Sequence, residues 1–257
     1  MRPADTHCHL QDPRFDGDRG EVLERTLQSL SFAVVVGDDL ASSTAACGMA
    51  RKGIFAAVGV HPYHGESVDA AALGTLRELA ARPGVVALGE IGLDYFNEFC
   101  PRPAQRAAFA AQLSLAAELG LPVVVHNRDA DADSLAMLGE FAPRLSSVIM
   151  HCFGSGPATA EACAGLGFYV SFAGNVTFPK AAALRDAARV VPPGLLLAET
   201  DAPYLAPQPE RGRRCEPAFV RHTLEALALA RGTDAETLTE TTTHNAVRAF
   251  RLPAGAD

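Results

Sequence analysis

The sequence predicts one α/β domain over residues 1–257, folded as a (β/α)8 TIM barrel with its active site at the C-terminal rim of the strands. The chain has 257 residues, close to the ~250 typical of one such barrel. Short apolar runs alternate with helical patterns throughout, and polar residues able to bind metal follow most of the runs. A closed barrel brings such widely spaced residues together, because its strands deliver their carboxyl ends to one rim.

Eight apolar runs have the length of strands, and several are rich in valine, as expected for strands buried on both faces. An open, doubly wound sheet is the alternative, but it would not explain polar residues at the end of nearly every run. The predicted strands are residues 3–9, 32–37, 54–60, 85–89, 122–126, 147–151, 168–172 and 195–199.

The segments between the strands are rich in Ala, Leu, Glu and Arg at helical spacing. Gly120 stands where a helix would end before a strand, which is typical of a C-cap. We expect the last helix to pack outside the barrel. The predicted helices are residues 21–30, 41–51, 70–81, 105–119, 130–141, 157–166, 179–190, 216–231 and 235–250.

Composition narrows the classes of partner. The formal net charge of −8 argues against a broad basic surface for duplex nucleic acid, but not against strand ends or small phosphate-bearing substrates. The six cysteines form no CxxC pair, and neither a secretory signal nor an apolar run of membrane length is evident. We therefore expect a cytoplasmic protein with no membrane partner, and we expect a monomer. Because the sequence has no glycine motif of the kind that binds phosphate or a dinucleotide, we also expect no organic cofactor.

The first candidate metal ligands are His7 and His9. Side chains alternate along an extended chain, so both imidazoles point to one side and Cys8 points away. Glu90 directly follows an apolar run, where a buried carboxylate needs a partner or a metal ion. Its two oxygens could bridge two ions about 3.5–4 Å apart. A glutamate that caps the next helix is the alternative.

His126 and His151 end successive predicted strands and offer two neutral nitrogen donors. Asp201 follows the last strand and could bind metal and accept a proton from the attacking water, although a salt-bridged structural aspartate is the alternative. Together with His7, His9 and Glu90, these three residues make six predicted ligands. They would hold two divalent ions of Mg, Mn, Zn or a similar metal. Asp201 and Glu90 are the predicted catalytic residues.

Four residues are predicted to bind substrate. His61 and His64 follow the third strand and could bind phosphate or orient a leaving group. Arg128 and Arg213 are candidate phosphate clamps, because guanidinium binds phosphate oxygens bidentately. Ordinary rim histidines and solvated arginines are the alternatives. Cys152, beside His151, is predicted to be a packing residue, like Cys8.

Seven segments together resemble the TatD-type metal-dependent hydrolases of the amidohydrolase superfamily, over essentially the whole chain. The resemblance implies a TIM barrel, a two-metal centre and magnesium-stimulated deoxyribonuclease activity on DNA ends. By this resemblance His7, His9 and Asp201 hold one ion, His126 and His151 hold the second, and Glu90 bridges them. The segments are residues 5–10, 59–62, 89–95, 121–130, 151–153, 199–205 and 245–250.

Three positions depart from the family pattern. Gln11 stands where the family usually has Asp, and Cys215 stands where it usually has Asn. The usual Ser-Gly order after His-Cys-Phe is replaced by Gly154-Ser155-Gly156. A thiol cannot reproduce the hydrogen bonds of an amide, so these departures bear on substrate contacts more than on metal binding.

The expected function is hydrolysis of phosphodiester bonds in single-stranded or frayed DNA, attacked from the 3′ end. A metal centre polarises a carbonyl as readily as a phosphoryl group. Hydrolysis of an amide, ester or lactone, including deacylation of D-aminoacyl-tRNA, is therefore the first alternative. A non-catalytic metal-binding partner protein is the second, and retention of all six ligands argues against it.

Overall fold

The computed structural model describes residues 1–253 and confirms the predicted TIM barrel; residues 254–257 of the predicted domain lie outside the described part. Every strand pairs in parallel with the next one along the chain, so the sheet order is β1 to β8. The strands are β1 Ala4–Cys8, β2 Phe32–Val36, β3 Ile54–Val58, β4 Val85–Asp94, β5 Val123–Arg128, β6 Val148–Met150, β7 Tyr169–Phe172 and β8 Leu196–Ala198.

The helices follow the strands as predicted, with boundaries that differ by a few residues. Gly120 ends α4 in the left-handed conformation, which confirms the predicted C-cap. Within residues 1–253 no helix is both long and apolar enough to cross a bilayer. The helices are α1 Arg19–Ser29, α2 Leu40–Met49, α3 Ala70–Ala80, α4 Arg102–Leu119, α5 Asp131–Phe141, α6 Pro157–Gly165, α7 Ala182–Val190, α8 Val220–Arg231 and α9 Ala235–Ala249.

The ring closes where the chain leaves β8 and meets the end of β1. Cys8 and Ala202 form a parallel bridge. The backbone N–H of Asp201 donates to the carbonyl of His7 at 2.9 Å, and the N–H of His9 donates to the carbonyl of Ala202 at 2.6 Å. This seam places Asp201 directly beside the two histidines of β1.

The last helix lies outside the ring of strands, as predicted, and it also packs against side chains of the barrel interior. Its residues Ala246, Ala249 and Phe250 belong to the same buried cluster as the inward-facing side chains of the barrel, such as Val34 and Leu197. The side chain of Asn245 also donates to the carbonyl of Leu196 at 2.7 Å. Helix α9 therefore lies outside the ring of strands but packs against the barrel interior, which an amphipathic pattern alone does not specify.

Strands β4 and β5 are longer than predicted. β4 was predicted to end at Gly89 but runs to Asp94, so Glu90 lies within the strand and not after it. The extension continues to pair with β5, with Gly92 opposite His126 and Asp94 opposite Arg128. In the sequence, the polar residues that follow Gly89 look like the end of a strand. In the structure they face the mouth of the barrel, and the backbone pairing of β4 with β5 continues past them.

Candidate active site

A cleft of about 690 Å³ opens at the carboxyl ends of the strands. The end of each strand supplies residues to it, as expected for a barrel of this type. Five of the six predicted metal ligands line the cleft, and the sixth, His7, is fully buried beneath it. The residues of the predicted site that line the cleft are His9, His61, His64, Glu90, His126, Arg128, His151 and Asp201.

The seam between β1 and β8 builds one side of the site. The Nε2 atoms of His7 and His9 lie 3.1 Å apart. The Oδ1 atom of Asp201 lies 3.4 Å from His9 Nε2 and 3.9 Å from His7 Nε2. The alternation of side chains along β1 thus brings both imidazoles to one point, as predicted, while the Cys8 thiol points away into the core.

The carboxylate of Glu90 lies in the middle of the site, and its two oxygens face different residues. Oε2 lies 3.4 Å from His7 Nε2 and 3.8 Å from His9 Nε2. Oε1 lies 2.8 Å from both His126 Nδ1 and His151 Nε2. Glu90 is only 4% exposed, so these contacts, and not water, must balance its charge. One carboxylate therefore joins two groups of imidazoles.

Gly92 allows β4 and β5 to approach closely enough for these contacts. Its φ of 145° is disfavoured for a residue with a side chain, and a Cβ atom there would lie 1.9 Å from the carbonyl oxygen of His126. The site of close approach is two residues beyond Glu90. A side chain at position 92 would therefore separate Glu90 from His126.

The arrangement fits divalent metal ions. Imidazole nitrogens and carboxylate oxygens are the donors that Zn and Mn prefer, and Mg accepts the carboxylates. Two ring nitrogens 3.1 Å apart, as in His7 and His9, need a proton or a cation between them. Within each of three groups, the candidate ligand atoms lie within 4.8 Å of one another. The groups are His7, His9 and Asp201; His7, Glu90 and His151; and His61, Glu90 and His126.

His61 lies closer to the ligands than the sequence analysis expected. Its Nε2 atom is 3.4 Å from Glu90 Oε1, and its ring packs edge-on against that of His126 at 4.3 Å. Its Nδ1 atom accepts a hydrogen bond from the backbone of Tyr63 at 3.2 Å. The position is compatible with both ligation and the predicted substrate contact.

Two buried carboxylates that were not among the predicted site residues hold candidate ligand histidines from behind. Asp94 Oδ2 lies 3.1 Å from His126 Nε2, and Glu199 Oε1 lies 3.1 Å from His151 Nδ1. Glu199 Oε1 also accepts the backbone N–H of Cys152 at 2.7 Å. A carboxylate behind a ligand histidine fixes the ring orientation and the tautomer. Each histidine thereby presents its other nitrogen to Glu90.

We expect Glu199→Gln to weaken metal binding by about 10- to 100-fold, the usual cost of losing such an outer partner. The amide oxygen can still accept the His151 ring N–H, but the negative charge behind the ring is lost. The measurement is a competition titration with a metal-sensitive dye. Unaltered affinity in a variant that melts at the wild-type temperature would contradict this role.

The charges of the cluster are strongly coupled in the metal-free protein. Burial alone would raise the pKa of Glu90, but the positive charge of His151 holds that pKa well below its usual range. Burial likewise opposes ionisation of His9, but the hydrogen bond to Asp201 raises its pKa to about 9. Burial lowers the pKa of His61 to about 4. At neutral pH His9 is therefore protonated, whereas His61 is neutral.

Metal binding should release protons and weaken as the pH falls. A metal ion takes the lone pair of a neutral imidazole, and the pKa of His9 is about 9 in the metal-free protein. Below that pH each displaced proton lowers the affinity by about tenfold per pH unit. Calorimetric titrations in buffers of different ionisation enthalpy should report release of at least one proton at pH 7. Binding enthalpies independent of the buffer would contradict the prediction.

The remaining predicted residues divide between the cleft and the surface. His64 and Arg128 line the cleft. Arg213 does not: its side chain is 71% exposed and pairs with Glu210 at 2.6 Å. The prediction that Cys152 is a packing residue was wrong, because it lines the cleft and is partly exposed.

The missed carboxylates left a signal in the sequence. Asp94 is four residues after Glu90, on the same side of an extended strand, and Glu199 is two residues before Asp201.

A third carboxylate, the fully buried Asp5, accepts hydrogen bonds from the backbone N–H and the hydroxyl of Thr200 at 2.9 and 2.5 Å. It thereby supports the turn that carries Asp201.

An eight-stranded barrel with imidazoles and carboxylates clustered at its carboxyl rim is the arrangement expected of a metal-dependent hydrolase. The family model described as TatD related DNase matches residues 4–251. The chain therefore belongs to the TatD-related DNase family.

The similarity to individual members extends over nearly the full length of both chains. The chain is 40% identical to the uncharacterized metal-dependent hydrolase YcfH of Escherichia coli K12, covering 98% of this chain and 96% of the relative. It is 35% identical to the 3′-5′ ssDNA/RNA exonuclease TatD of Erwinia tasmaniensis, covering 96% and 99%. The crystal structure of YJJV, a TatD homolog from Escherichia coli K12, has a TM-score of 0.91 at 28% identity, covering 98% and 99%.

Proposed function

We propose that the protein is a two-metal phosphodiesterase that removes nucleotides from the 3′ end of single-stranded DNA. The division of the Glu90 carboxylate is the observation that carries the proposal: Oε2 lies 3.4 Å from His7, and Oε1 lies 2.8 Å from His126 and His151. A carboxylate whose two oxygens contact different imidazoles is suited to bridge two ions about 3.5–4 Å apart. The exonuclease name of the Erwinia relative supports the choice of substrate.

Two bound ions would supply Lewis acidity to a phosphoryl oxygen and lower the pKa of the attacking water toward about 7. In this proposal His7, His9 and Asp201 hold one ion and His126 and His151 the other, with Glu90 between them. Asp201 then accepts the proton of the attacking water. Burial alone would raise the pKa of Asp201, but its hydrogen bond with His9 lowers it, so the carboxylate is ionised and able to accept.

The phosphate oxygens are held by residues that line the cleft. Arg128 provides a permanent positive charge, and His64 lies at the same opening. His61 is neutral at pH 7, since burial lowers its pKa to about 4, and its Nδ1 atom already accepts the Tyr63 N–H. Its Nε2 atom therefore carries the proton and can donate it to Glu90 or to a phosphate oxygen. Arg213 has no part in this proposal.

The test is a comparison of substrates for the metal-loaded protein. Single-stranded DNA labelled at its 5′ end should shorten progressively, whereas the same strand with an inverted nucleotide at its 3′ end should resist. A panel of lactones, aryl esters and D-aminoacyl-tRNA is assayed beside them. Turnover of a carbonyl substrate together with inert DNA would replace the proposal by carbonyl hydrolysis, and immediate release of the 5′-labelled nucleotide from the capped strand would reverse the direction of attack.

A further inference from the structure

Few phenylalanine and tyrosine rings are exposed in the described part of the chain, and these lie on loops that flank the cleft. The chain has 13 phenylalanines and 4 tyrosines. Among residues 1–253, the exposed ones are Phe96 at 59%, Phe99 at 70% and Tyr204 at 45%. Phe96 and Phe99 lie on the loop after β4, and Tyr204 lies on the loop after β8. Because β4 and β8 are four strands apart in a ring of eight, these loops rise on opposite sides of the metal ligands.

On the β4 side the rings form a continuous path into the site. The exposed ring of Phe99 packs edge-on against Tyr63 at 4.8 Å, and Tyr63 packs edge-on against His61 at 4.2 Å. The guanidinium of Arg128 lies over the ring of Phe96, 4.0 Å from its centroid. A positive group suited to phosphate is therefore held between an exposed aromatic platform and the ligand cluster.

The β8 side has the same combination of groups. The ring of Tyr204 packs edge-on against the ligand His9 at 6.0 Å. The guanidinium of Arg14 lies over the Tyr204 ring, 4.0 Å from its centroid. Arg14 also lines a second, smaller surface pocket together with Arg213 and Arg214. An aromatic ring backed by arginine thus stands at each end of the cleft.

We propose that these two ends are stacking platforms for unpaired bases on either side of the scissile phosphate, Phe96 and Phe99 on one side and Tyr204 on the other. The inference rests on the proposed function and deepens it. A chain with a net charge of −8 has little electrostatic attraction for a polyanion, so it needs another source of affinity. Stacking on aromatic side chains supplies this for single strands without regard to sequence. Paired bases of a duplex cannot stack on the protein, so the platforms favour unpaired ends.

The experiment compares three substrates of the metal-loaded enzyme: methyl p-nitrophenyl phosphate, a single-stranded oligothymidylate, and the same strand with abasic residues near its 3′ end. The variants are Phe99→Leu and Tyr204→Leu. The control is Phe141→Leu, which removes a ring that, like Tyr204, lies under an arginine, with Arg144 at 4.5 Å, at the end of α5 on the opposite face of the barrel.

We expect each platform variant to lower kcat/KM for the oligothymidylate, relative to that for methyl p-nitrophenyl phosphate, by about tenfold, mainly through KM. For the abasic strand, kcat/KM relative to that for methyl p-nitrophenyl phosphate should be the same in the platform variants as in the wild type. Phe141→Leu should change this relative kcat/KM for neither strand. Unchanged ratios, or an equal loss with the abasic strand, would overturn the stacking platforms while leaving the phosphodiesterase intact. A wild-type enzyme that cleaves neither the small diester nor DNA would instead refute the proposed function, and the platforms with it.

Discussion

Replacement of Glu90 by glutamine is expected to lower kcat for DNA hydrolysis by at least about 10³-fold. A thousandfold loss corresponds to about 4 kcal/mol of transition-state stabilisation, within the several kcal/mol that a metal centre supplies. Glutamine has nearly the same shape, but it offers one neutral oxygen where Glu90 offers two charged ones. Because those oxygens face separate histidine groups, the bound metal should fall from two ions to one or none.

The measurement pairs steady-state kinetics with metal analysis of the dialysed variant. Glu210→Gln is a suitable control, since that carboxylate pairs with the exposed Arg213 outside the cleft. It should retain wild-type activity and metal content. A Glu90→Gln protein that binds two ions and keeps a tenth of the activity would show that the carboxylate does not bridge.

Replacement of Asp201 by asparagine is expected to lower kcat by about 10²–10⁴-fold, the usual contribution of a positioned general base. The substitution also removes a charged oxygen 3.4 Å from His9. It leaves the contacts of Glu90 with His126 and His151 intact, so at least one ion should remain bound. The Asp201→Asn variant should therefore lose activity while it retains metal, whereas the Glu90→Gln variant should lose both.

The control for this variant is Asp186→Asn, an exposed aspartate that pairs with Arg189 within α7. A structural aspartate would behave differently: its loss would lower the melting temperature of the metal-free protein without a selective effect on kcat.

Much of the fold and of the ligand set can be predicted because both depend on local patterns. Valine-rich runs of strand length alternate with helical segments, and a ring of eight such units brings the ends of all its strands to one rim. His7 and His9 share a side because side chains alternate along a strand. Asp201 meets them because the seam between the first and last strands must close in any such barrel.

The rest depends on backbone geometry that no local pattern contains. β4 continues past Glu90 because Gly92 allows close pairing with β5, whereas the sequence pattern suggests that the strand ends at the polar residue. Glu199 lies within the last predicted strand, but only the three-dimensional position of the end of β8, separated by one strand from the end of β6, reveals that it holds His151. Arg213 is misassigned for the converse reason, because the path of a long loop decides whether its charge reaches the cleft.

The most direct test of the central claim is hydrolysis of end-labelled single-stranded DNA by protein stripped of metal and then supplied with Mg, Mn, Co or Zn. We predict no cleavage by the stripped protein, restored cleavage from the 3′ end with at least one metal, and almost none by Asp201→Asn under the same conditions. Protein that binds two ions but cleaves no DNA with any of these metals would contradict the account.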